Sequence, residues 1–291
     1  MLGTDLTQAI KGYQLCGLNR RKAMTLGVSD SIVDITDWKI VERCLKSLAP
    51  DVVIHAAAFT DVDGCEKDPD KAFRVNCEGT KNVFNAIKGT SVLFVLISTD
   101  YIFDGKKNAP YLEEDEANPI SVYGKSKWEA EKFICANAER YLIIRTSWLF
   151  GLHGKNFVDT ILKLAEKEKE LRVVSDQRGQ PTYTSDLAVA INSILAFYDK
   201  PGQAVKEILH VVNEGPTTWF DFTKEILSQA GKKGIAVKPI FSQELGRPAS
   251  RPINSVLDTA RLQAKVGLRL RHWREALSDY LRIRTEQGVR A

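Results

Sequence analysis

The 291-residue sequence predicts an α/β fold. Its core is a doubly wound parallel sheet with helices on both faces, followed by a smaller C-terminal α/β lobe. Three observations predict it. Short, continuously apolar runs such as 51–55 and 92–97 suit strands buried on both faces. Amphipathic helical patterns alternate with these runs through the first half of the chain. The alternation weakens after about residue 150, where stretches rich in Pro, Gly and Arg set in.

Taken in order, residues 1–10 read as the beginning of a helix, with Leu2, Leu6, Ala9 and Ile10 on one side. Residues 13–18 form a short strand candidate. Segment 37–49 is an amphipathic helix: Trp38, Val41, Leu45 and Leu48 recur at helical spacing and Pro50 ends it. The buried strand 51–55 runs into Ala56-Ala57-Ala58. A helix over 71–88, a strand over 92–97, a helix over 126–138 and a strand over 141–145 follow. Helical patterns return at 156–168, 185–198, 219–230 and 274–284, with irregular stretches at 177–184 and 246–254. This divides the chain into 1–150, the wound sheet, and 151–291, mainly the second lobe, with segments near 171–198 returning to the first.

Composition narrows the function classes. Lys and Arg number 41 against 37 Asp and Glu, and the signs are mixed throughout, so the net charge of +4 does not favour nucleic acid. No apolar stretch approaches the roughly 20 residues that span a bilayer, and no secretory pattern is visible at the N-terminus. The five cysteines are odd in number and contain no Cys-x-x-Cys, which reads as reduced thiols in a cytoplasmic protein. His55, His153, His210 and His272 are scattered without ligand spacing, so no metal site is expected.

Two segments carry chemistry: Ser98-Thr99-Asp100-Tyr101-Ile102-Phe103-Asp104-Gly105 and Tyr123-Gly124-Lys125-Ser126-Lys127. The second places a phenol and an ammonium one helical turn apart on one face. Such a pair can be a plain surface contact. It can also be an acid: a tyrosine titrates near about 10, and a neighbouring cation lowers that value toward neutrality. Strand 92–97 delivers Ser98 and Thr99 to the carboxyl end of a parallel strand, where open α/β sheets bind ligands. A hydroxyl there can polarise a substrate oxygen, or simply make a turn. Together the segments suit proton delivery to a carbonyl as a nicotinamide delivers hydride.

These segments resemble the extended short-chain dehydrogenase/reductases and, within them, the dTDP-4-dehydrorhamnose reductases. The resemblance covers nearly the whole chain. It extends through Pro110-Tyr111-Leu112-Glu113-Glu114-Asp115, His55-Ala56-Ala57-Ala58-Phe59-Thr60-Asp61-Val62-Asp63 and Val75-Asn76-Cys77-Glu78-Gly79-Thr80. It continues in Arg145-Thr146-Ser147-Trp148-Leu149-Phe150-Gly151, Asp176-Gln177-Arg178-Gly179-Gln180-Pro181-Thr182 and Arg251-Pro252-Ile253-Asn254-Ser255. It implies a Rossmann-like first domain that binds NADP. The implied reaction is NADPH-dependent reduction of dTDP-4-dehydrorhamnose to dTDP-L-rhamnose; the oligomeric state stays open, with a homodimer one alternative. Thr99, Tyr123 and Lys127 are the implied catalytic set. Val62, Asp100, Tyr101 and Trp148 line the implied sugar pocket, although Trp148 can also be a core aromatic. Ala56, Ala57 and Ala58 let the cofactor approach, Asp34 and Ile35 flank the adenine, and Asn76 matches the family's helix asparagine. Two other readings stay open: a non-catalytic regulatory subunit like that of methionine adenosyltransferase, and a reductase or epimerase of another nucleotide sugar.

Two further sites rest on charge. After strand 13–18 stand Asn19, Arg20, Arg21 and Lys22, where an NAD-specific fold usually presents an acid to the ribose. Cations there suit a 2′-phosphate, favouring NADPH while leaving NADH possible; they can equally form a solvated basic loop. Arg247 and Arg251 in the second lobe suit a diphosphate, or are simply solvated loop arginines. The start is unusual. A dinucleotide fold runs strand, glycine-rich turn, helix, whereas Met1-Leu2-Gly3-Thr4-Asp5-Leu6 reads as the end of such a turn already entering its helix. Leu2 and Gly3 would then border the cofactor. The expected remainder, roughly ten residues with the first strand, has no counterpart in the chain. We expect a start farther upstream, or weak cofactor binding. The basic residues after strand 13–18 predict a higher kcat/KM with NADPH than with NADH; a clear NADH preference in side-by-side kinetics would refute that assignment.

Overall fold

The computed structural model describes residues 1–20, 28–199 and 204–288. Helix α1 (Leu2–Ala9) is followed by strands β1 (Cys16–Asn19) and β2 (Ser29–Ile32). Helix α2 (Trp38–Leu48) starts where the Asp37 carboxylate accepts the Ile40 amide, and stops at Ala49, whose φ of 43° precedes Pro50. Strand β3 (Val52–His55) leads to α3 (Val62–Lys67) and α4 (Pro69–Phe73). A π-helical turn, Arg74–Glu78, then runs into α5 (Gly79–Asn85). Strand β4 (Leu93–Thr99) ends in the 3-10 turn Asp100–Ile102, and α6 (Val122–Asn137) precedes β5 (Tyr141–Thr146).

The second half interleaves both lobes. It comprises β6 (Leu149–Phe150), α7 (Phe157–Ala165), β7 (Glu170–Val174), β8 (Arg178–Gly179), β9 (Thr182–Tyr183) and α8 (Thr184–Tyr198). Then come β10 (Lys206–His210), β11 (Thr217–Thr218), α9 (Trp219–Gln229), β12 (Ala236–Ile240), α10 (Ala260–Val266) and α11 (Trp273–Glu286).

The main sheet runs β10-β5-β4-β3, every pair parallel. All residues of β4 and β5 are buried, as continuous apolar runs require. One face packs Val95, Ile97, Leu142 and Ile144 against α1, α8 and α10; the other packs Phe94, Leu96 and Ile143 against α2, α5 and α6. The β1-β2 pair forms a separate parallel sheet. Leu18 and Val33 beside it join the second of those cores. Among the described residues β3 bonds to β4 alone and β1 to β2 alone, so the sheet is in two pieces. In the second lobe, α7, α9 and α11 close over Phe150, Phe222, Trp273 and Tyr280.

Several elements differ from expectation. Within 71–88 the π-helical turn divides α4 from α5. Helix α6 begins at Val122 rather than 126, because Ser121 caps it by accepting the Gly124 amide at 3.1 Å. The stretch 177–184 holds β8 and β9. Strands β2 and β12 are mostly exposed and offer no apolar run to read. Of segment 171–198, α8 packs on the main sheet whereas β7 pairs with β12. Leu96 on β4 is fully buried at the centre of this sheet. Leu96→Ala should cost about 2–5 kcal/mol by loss of burial plus cavity, read as a lowered urea midpoint.

Candidate active site

Thr99 ends β4 and pairs in register with Thr146 of β5. Its Oγ1 accepts the Tyr101 amide at 3.2 Å and donates to Asp100 Oδ1 at 3.0 Å. The following 3-10 turn packs directly on α6. A Cβ at Gly124 would lie 2.2 Å from the Tyr101 carbonyl oxygen, so this contact requires glycine. Ser121 and Glu66, the latter accepting the Val122 amide at 2.8 Å, hold the helix start in place. Tyr123 therefore meets Tyr101 edge to face, ring centroids 6.0 Å apart.

Lys127, one turn along α6, is buried and donates to the Ile97 carbonyl at 2.7 Å. Glu131, one turn farther, accepts Arg145 Nη2 at 2.8 Å and Arg145 Nε at 3.2 Å, and takes a hydrogen bond from Ser98. Arg145 also donates to the Glu113 carbonyl at 3.0 Å. Asn76, in the π-helical turn, is fully buried. Its oxygen accepts the Phe59 amide at 2.7 Å, and its nitrogen donates to Phe59 O at 3.1 Å and Ser126 Oγ at 2.9 Å. It ties the loop after β3 to α6.

Burial sets the acid–base character of this pocket. It raises the Asp100 carboxyl to about 7, against the pull of Ser255 and Thr99. It lowers the Lys127 ammonium to about 8, with Glu131 acting the other way. His55, bonded to Thr80 at 3.0 Å, falls to about 3 by burial and by repulsion from Lys127, and is neutral. The Tyr123 phenol is raised by burial; Thr99 beside it lowers it and Asp100 raises it. This corrects one expectation: the ammonium is directed at Ile97 O, and desolvation outweighs any lowering of the phenol.

Trp148 follows β5 with a φ of 44°, rare for a bulky residue. Its indole lies 3.5 Å from that of Trp219, nearly parallel at 8°, and a Cβ at Gly179 would sit 2.5 Å from its ring. Trp219 is anchored in turn by donating to Gln177 at 3.2 Å. Val62 opens α3, and its neighbour Asp63 accepts Arg251 at 2.9 Å and approaches Arg247 at 3.8 Å.

The model of the RmlD substrate binding domain family matches residues 1–285. The chain belongs to the RmlD substrate binding domain family. The Bacillus subtilis spore coat polysaccharide biosynthesis protein SpsK is 41% identical over 288 residues, covering 98% of this chain and 94% of its own. A dTDP-4-dehydrorhamnose reductase of Streptomyces griseus is 37% identical over 280 residues, covering 96% of this chain and 89% of its own. The crystal structure of dTDP-4-dehydrorhamnose reductase from Bacillus anthracis in complex with NADP superposes with a TM-score of 0.84 at 34% identity, covering 96% of this chain and 94% of that one.

The cofactor positions expected of an RmlD-family chain fit a dinucleotide unevenly. The first amides of α1 carry no side-chain cap, and a Cβ at Gly3 would meet nothing within 4 Å, so open space and no closed cradle lies there. Leu2 buries its side chain in the core, so its contribution is its backbone. Ala57 is exposed beyond β3, with Ala56 and Ala58 half-buried beside it. Asn19 donates to Asp30 at 3.1 Å; Arg20 is exposed and acts on Asp34, which Thr36 holds ionised. Ile35 packs on Gly79. Arg21 and Lys22 lie outside the described residues. No group of three or more His, Cys, Asp or Glu among the described residues is arranged to hold a metal. Glu131 and Trp219 were not singled out from sequence: Glu131 reads as one more helix carboxylate and Trp219 as the first apolar position of a helix.

Asp100 yields a pH-dependent stability. Between its ordinary value of 3.8 and its folded value of about 7, the folded protein holds a proton the unfolded chain has released. Its contribution to stability is complete at low pH and is lost as pH rises through about 7. Asp100→Asn, which does not titrate, should therefore gain stability relative to the parent between about pH 4 and about pH 8 in urea unfolding. An unchanged difference across that range would refute the buried acid.

Proposed function

We propose that this chain reduces the C4 keto group of dTDP-4-dehydrorhamnose (dTDP-4-dehydro-6-deoxy-L-mannose), giving dTDP-L-rhamnose. The observation that carries the reading is the convergence of Thr99, Asp100 and Tyr101 with Tyr123 at the carboxyl end of β4. NADPH, when bound, supplies the hydride.

The chain's own groups supply orientation and the proton. Burial keeps the Tyr123 phenol protonated, which suits a donor to the C4 oxygen. The Thr99 hydroxyl polarises that oxygen. The Lys127 ammonium would border the ribose of a bound cofactor, and Asn76 ties the loop after β3 to α6. Tyr101 and Trp148 give the sugar flat apolar walls, with Val62 beside them. Arg251, fixed on Asp63, presents a guanidinium for the diphosphate.

No helix of the described residues is long and apolar enough to cross a membrane. The five cysteines are all free, which supports a cytoplasmic location. A homodimer belongs to the same reading, and size-exclusion chromatography tests it.

NADPH oxidation with the dTDP-keto-sugar is the direct assay, and its absence would favour a non-catalytic role. Tyr123→Phe removes the donated proton and leaves the ring. It should lower kcat by about 100-fold or more with NADPH affinity retained. An unchanged kcat removes Tyr123 from the mechanism.

A further inference from the structure

Of the residues assigned to the sugar pocket, Trp148 alone has a left-handed backbone. A residue of this size keeps such a conformation only where its surroundings enforce it. The backbone is pinned on both sides. Ser147 Oγ donates to the Gln180 carbonyl at 2.7 Å, the Thr182 amide donates to Trp148 O at 3.2 Å, and Leu149 pairs with Thr182 where β6 meets β9. The ring is held by two further residues, Trp219 and Gly179. The indoles of Trp148 and Trp219 overlap face to face, centroids 3.5 Å apart. A Cβ on Gly179 would stand 2.5 Å from Trp148 Cε2 and 2.7 Å from its Nε1, so no side chain fits there unless the indole moves.

Both residues come from one ribbon. Strand β8 pairs antiparallel with β11, Gly179 opposite Thr217, and Trp219 opens α9 directly after β11. Trp219 is itself fixed. Its Nε1 donates to Gln177 Oε1 at 3.2 Å, Gln177 Nε2 donates to Ser242 Oγ at 2.9 Å, and the Phe157 ring centroid lies 4.4 Å from its own. Packing for stability alone does not explain the pair. Unconstrained aromatic rings settle offset or edge to face, with centroids about 4.5–7 Å apart, rather than in direct overlap. Both indoles are also only partly buried.

We propose that Trp219 and Gly179 are positioning residues that set the place of the Trp148 indole and, through it, the fit of the sugar. Neither touches the substrate itself. The proposal rests on the carbonyl-reduction reading above, in which Trp148 walls the sugar. Released from the ribbon, the Trp148 backbone relaxes out of the left-handed region and carries the ring with it. Held by the ribbon, the ring is already ordered when substrate arrives, and no binding energy is lost to ordering it.

The test uses Trp219→Ala, Trp219→Phe and Gly179→Ala, each alone and combined with Trp148→Phe, assayed with NADPH and the dTDP-keto-sugar. Trp219→Ala removes one support. Gly179→Ala pushes on the ring from the other, and its own backbone lies outside the left-handed region. Both should raise KM for the keto-sugar about tenfold or more, with kcat within about threefold and the KM for NADPH unchanged. Trp219→Phe keeps an aromatic face and should recover part of that loss. Inhibition by dTDP, which has no sugar to place, should stay as in wild type. Combined with Trp148→Phe, the same changes should add little, because they act through the missing indole. Additive losses, an equal loss of dTDP affinity, or an unchanged KM would overturn the proposal.

A second measurement needs no substrate. Trp148 and Trp219 are the stacked tryptophan pair among the described residues. Two indoles so close should give an exciton couplet in circular dichroism, which Trp148→Phe, Trp219→Phe and Gly179→Ala each diminish while the helical signal stays intact. A couplet unchanged in Gly179→Ala overturns the grip on the ring. Absence of turnover in wild type marks failure of the reaction reading instead, and the couplet still decides whether Trp219 and Gly179 hold Trp148.

Discussion

Arg145 and Glu131 sit in the dry centre of the protein, 2% and 0% exposed, and the carboxyl end of β4 and β5 is built around their pairing. A buried ion pair gains little over apolar packing, but losing one partner strands the other charge at about 3–5 kcal/mol. Each group must therefore be met from several directions. Ser98 of β4, Arg145 of β5 and Glu131 of α6 converge, and the Glu113 carbonyl completes the guanidinium. Ser98 immediately precedes Thr99, and Glu131 lies one turn beyond Lys127. Satisfying the pair thus fixes how far α6 slides along β4, and with it where Tyr123 and Lys127 stand.

The same dryness decides protonation. Desolvation opposes charge of either sign. It raises the Asp100 carboxyl and the Tyr123 phenol, lowers the Lys127 ammonium and leaves His55 neutral. Two groups with ordinary values far apart, Asp100 and Lys127, are brought to about 7 and about 8. Gly124 packs tightly on the Tyr101 carbonyl where the turn meets α6.

The second lobe meets the first through two contacts of different character. Trp148 is held in a left-handed backbone conformation by its stack on Trp219, against the flat face of Gly179. Local strain of this kind persists where the surroundings over-determine it, and it recurs at ligand sites. On the other side the Arg251–Asp63 pair draws the loop from 246 onward to the start of α3. One contact is rigid and apolar, the other a charge pair open to competition by an anion.

The sequence by itself determined the kind of fold and the chemistry of the reacting groups. Unbroken apolar runs such as 93–97 can be stable only as strands covered on both faces, and the Tyr123 and Lys127 spacing places both on one side of a helix whatever surrounds it. Local periodicity carried no information about β2 or β12, whose residues face solvent, or about β10, which joins β5 after a long detour. Nor did it mark Glu131 or Trp219, whose roles come from Arg145 and Trp148, partners distant in the chain. The direction of each proton equilibrium was likewise a tertiary outcome. Lys127 was expected to lower Tyr123, but burial is the largest influence on both groups, and the ammonium is directed at the Ile97 carbonyl. Side-chain type and spacing are local properties; desolvation and long-range pairing exist only once the chain has closed around them.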